Sequence, residues 1–128
     1  MAKVLIVDDE RGMRVTLAEF LTDEGHDVAA VDDALKAIQL VAEQPFDVVV
    51  TDIIMPYFDG VDLLQAVRAA HPRIQVILIT GEPFLDAGTP PRPAGAFAYL
   101  AKPVTRERIC RVVAAAAAEK ARLDEALI

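Results

Sequence analysis

Three short runs of aliphatic and β-branched residues, KVLIV at 3–7, DVVVT at 47–51 and QVILI at 75–79, show no alternation of apolar and polar positions. A strand with one wet face alternates. A strand apolar at nearly every position must be covered on both faces, as in a parallel sheet between helical layers. DVAAV at 27–31 and AFAYL at 96–100 are weaker versions, expected nearer the sheet edges. The intervening segments carry helical spacing. Met13, Leu17, Phe20 and Leu21 form one such stripe, and Gly25 is placed to end that helix. Leu35, Ile38 and Val41 follow a cap at Asp32 or Asp33, and Val61, Leu64 and Val67 precede Pro72. From Glu107 to about Leu127, Ile109, Val113 and Ala116 share one face. Strand–helix alternation of this kind predicts an α/β fold: a doubly wound, five-stranded parallel sheet with helices on both faces and right-handed crossovers.

The chain has 128 residues, enough for one domain with one hydrophobic core, and its 54% hydrophobic content argues against intrinsic disorder. Thirteen basic residues against twenty acidic ones give a net charge of −7. The basic residues are scattered, so direct binding to nucleic acid or to an anionic membrane is not expected. Cys110 is the single cysteine and reads as a core thiol, so nothing implies an oxidising compartment. The first ten residues form neither a signal peptide nor a membrane span, and the expected location is the cytoplasm. His26 and His71 fall at helix–strand connections and take no catalytic role in this reading.

Open parallel sheets bind ligands beyond the carboxyl ends of their strands. VDDERG follows the first strand where a dinucleotide fold would carry a glycine-rich phosphate loop, which excludes that reading. Asp8 and Asp9 close the first strand, Asp52 the third and Thr80 the fourth, and Lys102 follows the fifth. Three carboxylates in one cleft repel one another unless a cation neutralises them. Mg²⁺ suits such a site, since it takes oxygen ligands and uses one or two carboxylates plus phosphate oxygens. A carboxylate attacking phosphorus gives an acyl phosphate, with Thr80 and Lys102 suited to the added charge.

VLIVDDE, VVTDIIMPYFDG, ILITG and FAYLAKP stand in the order and at the separations of the receiver domain of two-component response regulators, which the chain closely resembles over about residues 3 to 120. The resemblance implies a chemotaxis-regulator-like sheet order of 2-1-3-4-5. It also implies Asp52 as phosphoacceptor, and Mg²⁺ held by Asp8, Asp9, Asp52 and the main-chain carbonyl of Ile54. Thr80 would be the switch hydroxyl, Lys102 the phosphate-contacting lysine and Tyr99 the aromatic that follows Thr80. The bond before Pro103 would be cis, and Pro56 and Gly60 would shape the loop around Asp52. Glu10 is read as an acid beside the site rather than a ligand. Ile54 and Glu82, each two residues past a site residue, fall where the family controls hydrolytic water. An apolar Ile54 cannot orient that water, so unusually fast self-dephosphorylation is not expected.

The function implied is a phosphorylation-dependent signalling module that receives a phosphoryl group from a sensor histidine kinase or phosphotransfer protein and promotes its own phosphorylation and dephosphorylation. The alternatives are a small Mg²⁺-dependent aspartyl-phosphate phosphohydrolase and a pseudo-receiver acting only as an interaction surface. Residues 1–120 are expected to form the receiver, and 121–128 a projecting helical extension or the start of a linker. No DNA-recognition helix or output enzyme follows, so a stand-alone regulator and an N-terminal receiver both fit.

ITGEPFLDAGTPPRP, at 79–93, breaks the pattern. Prolines at 83, 90, 91 and 93 remove backbone donors and bias their predecessors away from helical angles. The fourth crossover helix is therefore expected to be shortened, displaced or missing, with 88–95 irregular. A homodimer or output-domain contact would then use the face between this crossover and the last helix.

Overall fold

The computed structural model describes residues 1–81 and 95–127. The elements run β1 (Lys3–Val7), α1 (Arg11–Asp23), β2 (Asp27–Val31), α2 (Ala34–Glu43), β3 (Val48–Asp52), α3 (Gly60–Ala70), β4 (Gln75–Thr80), β5 (Ala98–Ala101) and α4 (Arg106–Glu125). All four strand pairings are parallel, in the order β2-β1-β3-β4-β5. β1, β3 and β4 are the interior strands, and almost every residue in them is buried, which is why their sequences lack alternation. The expectation of a broken crossover after β4 falls on residues 82–94 and lies outside the described residues.

Pleating sorts each strand's side chains between two cores. Leu5, Val7, Val49, Val76 and Leu78 face Ala37, Val41, Leu63, Leu64 and Val67 of α2 and α3. Val4, Ile6, Val48, Val50, Ile77, Ile79 and Leu100 face Leu17 and Leu21 of α1 and Ile109, Val113 and Ala116 of α4. Among the described residues the helices therefore cover both faces, in two pairs.

Local chemistry sets the helix ends. Gly25 adopts φ 91°, a conformation that favours glycine, and its N–H donates to the Thr22 carbonyl at 2.9 Å. The Asp33 side chain accepts from the Lys36 N–H at 2.7 Å and so starts α2. That cap sets the helix phase, and the expected apolar face is rotated as a result. Ala34, Ala37 and Val41 are buried, Ile38 lies at the flank, and Leu35 is 66% exposed. Asp59 and Asp62 form a reciprocal capping box at the start of α3, and Thr105 caps α4.

The final turns of α4 lie beside the amino ends of the strands. Lys120 Nζ is 3.4 Å from Asp47 Oδ1, while Asp47 Oδ2 accepts the Lys3 N–H at 2.9 Å. Asp124 pairs with both Arg73 and Lys120. His26 and His71 precede β2 and β4 at this same pole, and His26 Nδ1 accepts the Ala2 N–H at 3.0 Å. Burial lowers the His26 pKa, in keeping with a ring nitrogen that must stay unprotonated to accept. Cys110 is half-buried against α1, and burial pushes its thiol pKa up. Among the described residues no helix is long and apolar enough to cross a membrane.

Candidate functional site

The strand tips opposite that pole carry the ionisable cluster, and the pleat decides which side chains meet. Asp8, Asp52 and Lys102 each stand two residues beyond a side chain of the α1–α4 core, namely Ile6, Val50 and Leu100. They therefore leave the sheet on one side. Thr80 follows Leu78 by two residues, and Leu78 pairs with Tyr99, so Thr80 and Tyr99 share the opposite face. Thr80 is fully buried, and Tyr99 is half-buried against the α2–α3 core.

The expected residues come together. Asp8 is 2% exposed and Asp52 7%, and the carboxylates of Asp8, exposed Asp9 and Asp52 each offer an oxygen within 4.8 Å of the others. Lys102 Nζ donates to Asp52 Oδ2 at 3.0 Å and lies 3.7 Å from Asp8 Oδ2. The other Asp52 oxygen accepts the Ile54 N–H at 3.2 Å, and Asp8 Oδ1 accepts the Glu10 N–H at 2.8 Å. The Lys102 N–H donates to the Thr80 carbonyl at 2.8 Å, joining the tips of β4 and β5, and the Lys102–Pro103 bond is cis. Ile54 is 56% exposed beside this cleft. Glu82 lies outside the described residues.

Electrostatics follow from burial. Removal from water pushes the Asp8 pKa up, aided by the charges of Asp52 and Asp9 and opposed by the Glu10 amide and by Lys102. Burial alone would lower the Lys102 pKa. The hydrogen bond that Lys102 donates to Asp52 and the charges of Asp8 and Asp52 outweigh burial and hold the ammonium above its usual value. Among the described residues, Lys102 is one positive charge in contact with the cluster of three carboxylates. The donor set is all hard oxygen, clustered and incompletely neutralised, and this suits a small divalent cation such as Mg²⁺.

Two further features have no direct sign in the sequence. Arg14 Nη1 donates to the Asp8 main-chain carbonyl at 2.8 Å, and the only hint was a cation one turn into the helix after an acidic loop. Gly60 packs so closely under the β3–α3 connection that a Cβ there would overlap the Asp52 carbonyl oxygen and lie 2.8 Å from Ile53 Cα. Gly60 was expected to shape this loop, but not to make such close backbone contact.

A family model described as the response regulator receiver domain matches residues 4–114. The response regulator protein FleR of Pseudomonas aeruginosa is 36% identical over 113 residues, covering 88% of this chain and 24% of FleR. Sporulation initiation phosphotransferase F of Bacillus subtilis is 32% identical over 107 residues, covering 84% of this chain and 86% of that protein. The crystal structure of a response regulator receiver domain protein from Clostridium thermocellum superposes with a TM-score of 0.87 at 31% identity, covering 96% of this chain and 99% of that one. The chain spans about a quarter of the length of FleR and of the Azospirillum brasilense transcriptional regulator NtrC. The same fold, the same sheet order and a family match over most of its length lead to one conclusion: the chain belongs to the response regulator receiver domains of two-component systems.

Proposed function

We propose that Asp52 accepts a phosphoryl group from the phosphohistidine of a sensor histidine kinase or phosphotransfer protein in the cytoplasm. Asp8, Asp9, Asp52 and the main-chain carbonyl of Ile54 would hold Mg²⁺. The observation that carries this reading is a nearly buried Asp52 carboxylate, held on one oxygen by Lys102 and on the other by the Ile54 amide, with two further carboxylates beside it. The cation, when bound, supplies the positive charge that lets an anionic carboxylate approach an anionic donor.

An Asp52 oxygen attacks phosphorus, and the bond from phosphorus to the donor nitrogen breaks, its electron pair staying on that nitrogen. The product is an acyl phosphate. Lys102 already touches Asp52 and would offset the negative charge added on the phosphoryl oxygens, while the Thr80 hydroxyl is a second donor at the same rim. Thr80 shares its sheet face with Tyr99, so a shift of Thr80 toward the phosphoryl group would be felt on the side away from the acid cluster. That biases a two-state output surface. The partners of that surface include an output module or a second copy using the face between the fourth crossover and α4.

Incubation with acetyl phosphate and Mg²⁺, followed by intact-mass measurement, should show one added phosphoryl group, and none should form when a chelator is present from the start. Sustained consumption of donor over many turnovers would instead favour the phosphohydrolase, although Ile54 offers no carboxylate two residues past Asp52.

The receiver body is proposed to end near Lys120. No described residue beyond Lys120 is fully buried: Leu123 and Asp124 are half-buried, Asp124 pairs with Arg73 and Lys120, and Arg122 pairs with Glu119. The Arg73–Asp124 pair is exposed and of a kind that contributes about 0–1 kcal/mol, and Lys120, which is more buried, keeps its pairing with Asp47 without the tail. Deleting residues 121–128 should therefore cost no more than about 1 kcal/mol in thermal unfolding. A loss of several kcal/mol would make the tail part of the core.

A further inference from the structure

Arg14 stands in the first turn of α1, with its guanidinium turned back toward the loop that precedes the helix. Its Nη1 donates to the Asp8 main-chain carbonyl at 2.8 Å, while the Asp8 N–H donates to Val31 O at 3.2 Å. The backbone of Asp8 is thus gripped on both sides, by β2 and by α1. Asp8 is 2% exposed, so loss of the guanidinium would strip the carbonyl of a donor where water has little access. The loop would gain by turning that peptide toward solvent.

Asp9 is the residue most affected by such a turn. It is exposed, and among the described residues its carboxylate makes no hydrogen bond or ion pair. Asp8 has the Glu10 amide on its carboxylate, and Asp52 has Lys102 and the Ile54 amide. The direction of Asp9 therefore depends on the peptide that joins it to Asp8. Asp32, whose charge Arg14 also feels, is engaged by Lys36 at 2.7 Å.

We propose that Arg14 is a positioning residue for the cation site: by fixing the Asp8–Asp9 peptide it aims the Asp9 carboxylate at Asp8 and Asp52. The inference rests on the metal reading given above and has a consequence of opposite sign to simple electrostatics. Arg14 is a positive charge beside a site for a positive ion, so by Coulomb's law its removal should tighten Mg²⁺ binding. Positioning requires the reverse, because groups that orient metal ligands typically control affinity by about ten- to a hundredfold.

The test is a Mg²⁺ titration of the full chain, following backbone amide resonances of residues 8–10 and 52–55. It compares the unaltered protein with R14Q, R14K and D9N. R14Q should weaken binding about tenfold, approaching the loss in D9N, and R14K should recover part of it by keeping a charged donor on an aliphatic stem. Amide resonances away from the loop report that each variant is folded. Unchanged or tighter binding by folded R14Q would overturn the inference. Failure of the unaltered protein to bind Mg²⁺ at residues 8–10 and 52–55 would instead overturn the metal reading itself.

Discussion

Replacing Gly60 with alanine should destabilise the domain by about 3 kcal/mol, the upper range for forcing atoms into a packed site. The added methyl would run into the Asp52 carbonyl oxygen, and Ile53 Cα would be 2.8 Å away. These are backbone atoms, with no flexible side chain to swing aside. The Gly60 N–H also donates to Ile53 O at 2.8 Å, so α3 cannot back away without breaking that bond. For a domain of this size the midpoint of thermal unfolding should fall by about 10 °C or more. Gly12 is the control, since it lies exposed in α1 and its added Cβ would meet only Glu10 Oε1, at 3.8 Å. G12A should be neutral or stabilising by up to about 1 kcal/mol, because alanine favours helix. Equal stability of G60A and the unaltered protein, measured by heat or denaturant, would mean that the close approach is not a constraint.

A second large effect is expected from K102M, which keeps the aliphatic stem and removes the charge. Asp8 and Asp52 would then face each other, nearly buried, without their counter-ion. Removing one member of a buried pair costs about 3–5 kcal/mol. Lys102 keeps some contact with water, and about 2 kcal/mol is the expected loss at neutral pH without metal. The pH dependence has a definite sign. The Asp8 pKa is already raised in the folded state, so ionised Asp8 opposes folding, and protonating it relieves that opposition. Its favourable contribution is fully present below the ordinary value of 3.8 and is lost as pH rises through the raised value. Without Lys102 that raised value moves higher still. The deficit of K102M should therefore shrink as the pH is lowered toward 4, and Mg²⁺ should restore much of it at neutral pH. The Lys102 contribution in the unaltered protein runs the other way along the scale: it is present below 10.5 and lost as pH rises through the ammonium's raised value. A deficit unaffected by either acid or Mg²⁺ would mean that K102M acts through packing instead.

Much of this site could be read in the sequence because the sheet enforces it. Apolar runs that end in Asp8, Asp52 and Thr80 fix which residues stand at the strand tips, and period-two alternation fixes which of them share a face. The phase of α2 was not legible. Asp32 and Asp33 are both acceptable caps, and only the bond from Lys36 N–H to Asp33 settles where the helix begins and hence why Leu35 faces water. The reach of Arg14 and the crowding at Gly60 depend on how a helix crosses a loop, which no local pattern encodes. The proline-rich crossover remains a sequence expectation, because residues 82–94 lie outside the described part of the chain.

Of three neighbouring carboxylates, Asp52 alone is proposed to take the phosphoryl group. Borohydride reduces an aspartyl phosphate to homoserine, and peptide mass spectrometry then locates the reduced position. After incubation with a phosphodonor and Mg²⁺, homoserine should appear at position 52 only, and D52N should take up no phosphoryl group while remaining folded. Homoserine at position 8 or 9, or undiminished labelling of D52N, would mean that Asp52 is not the acceptor.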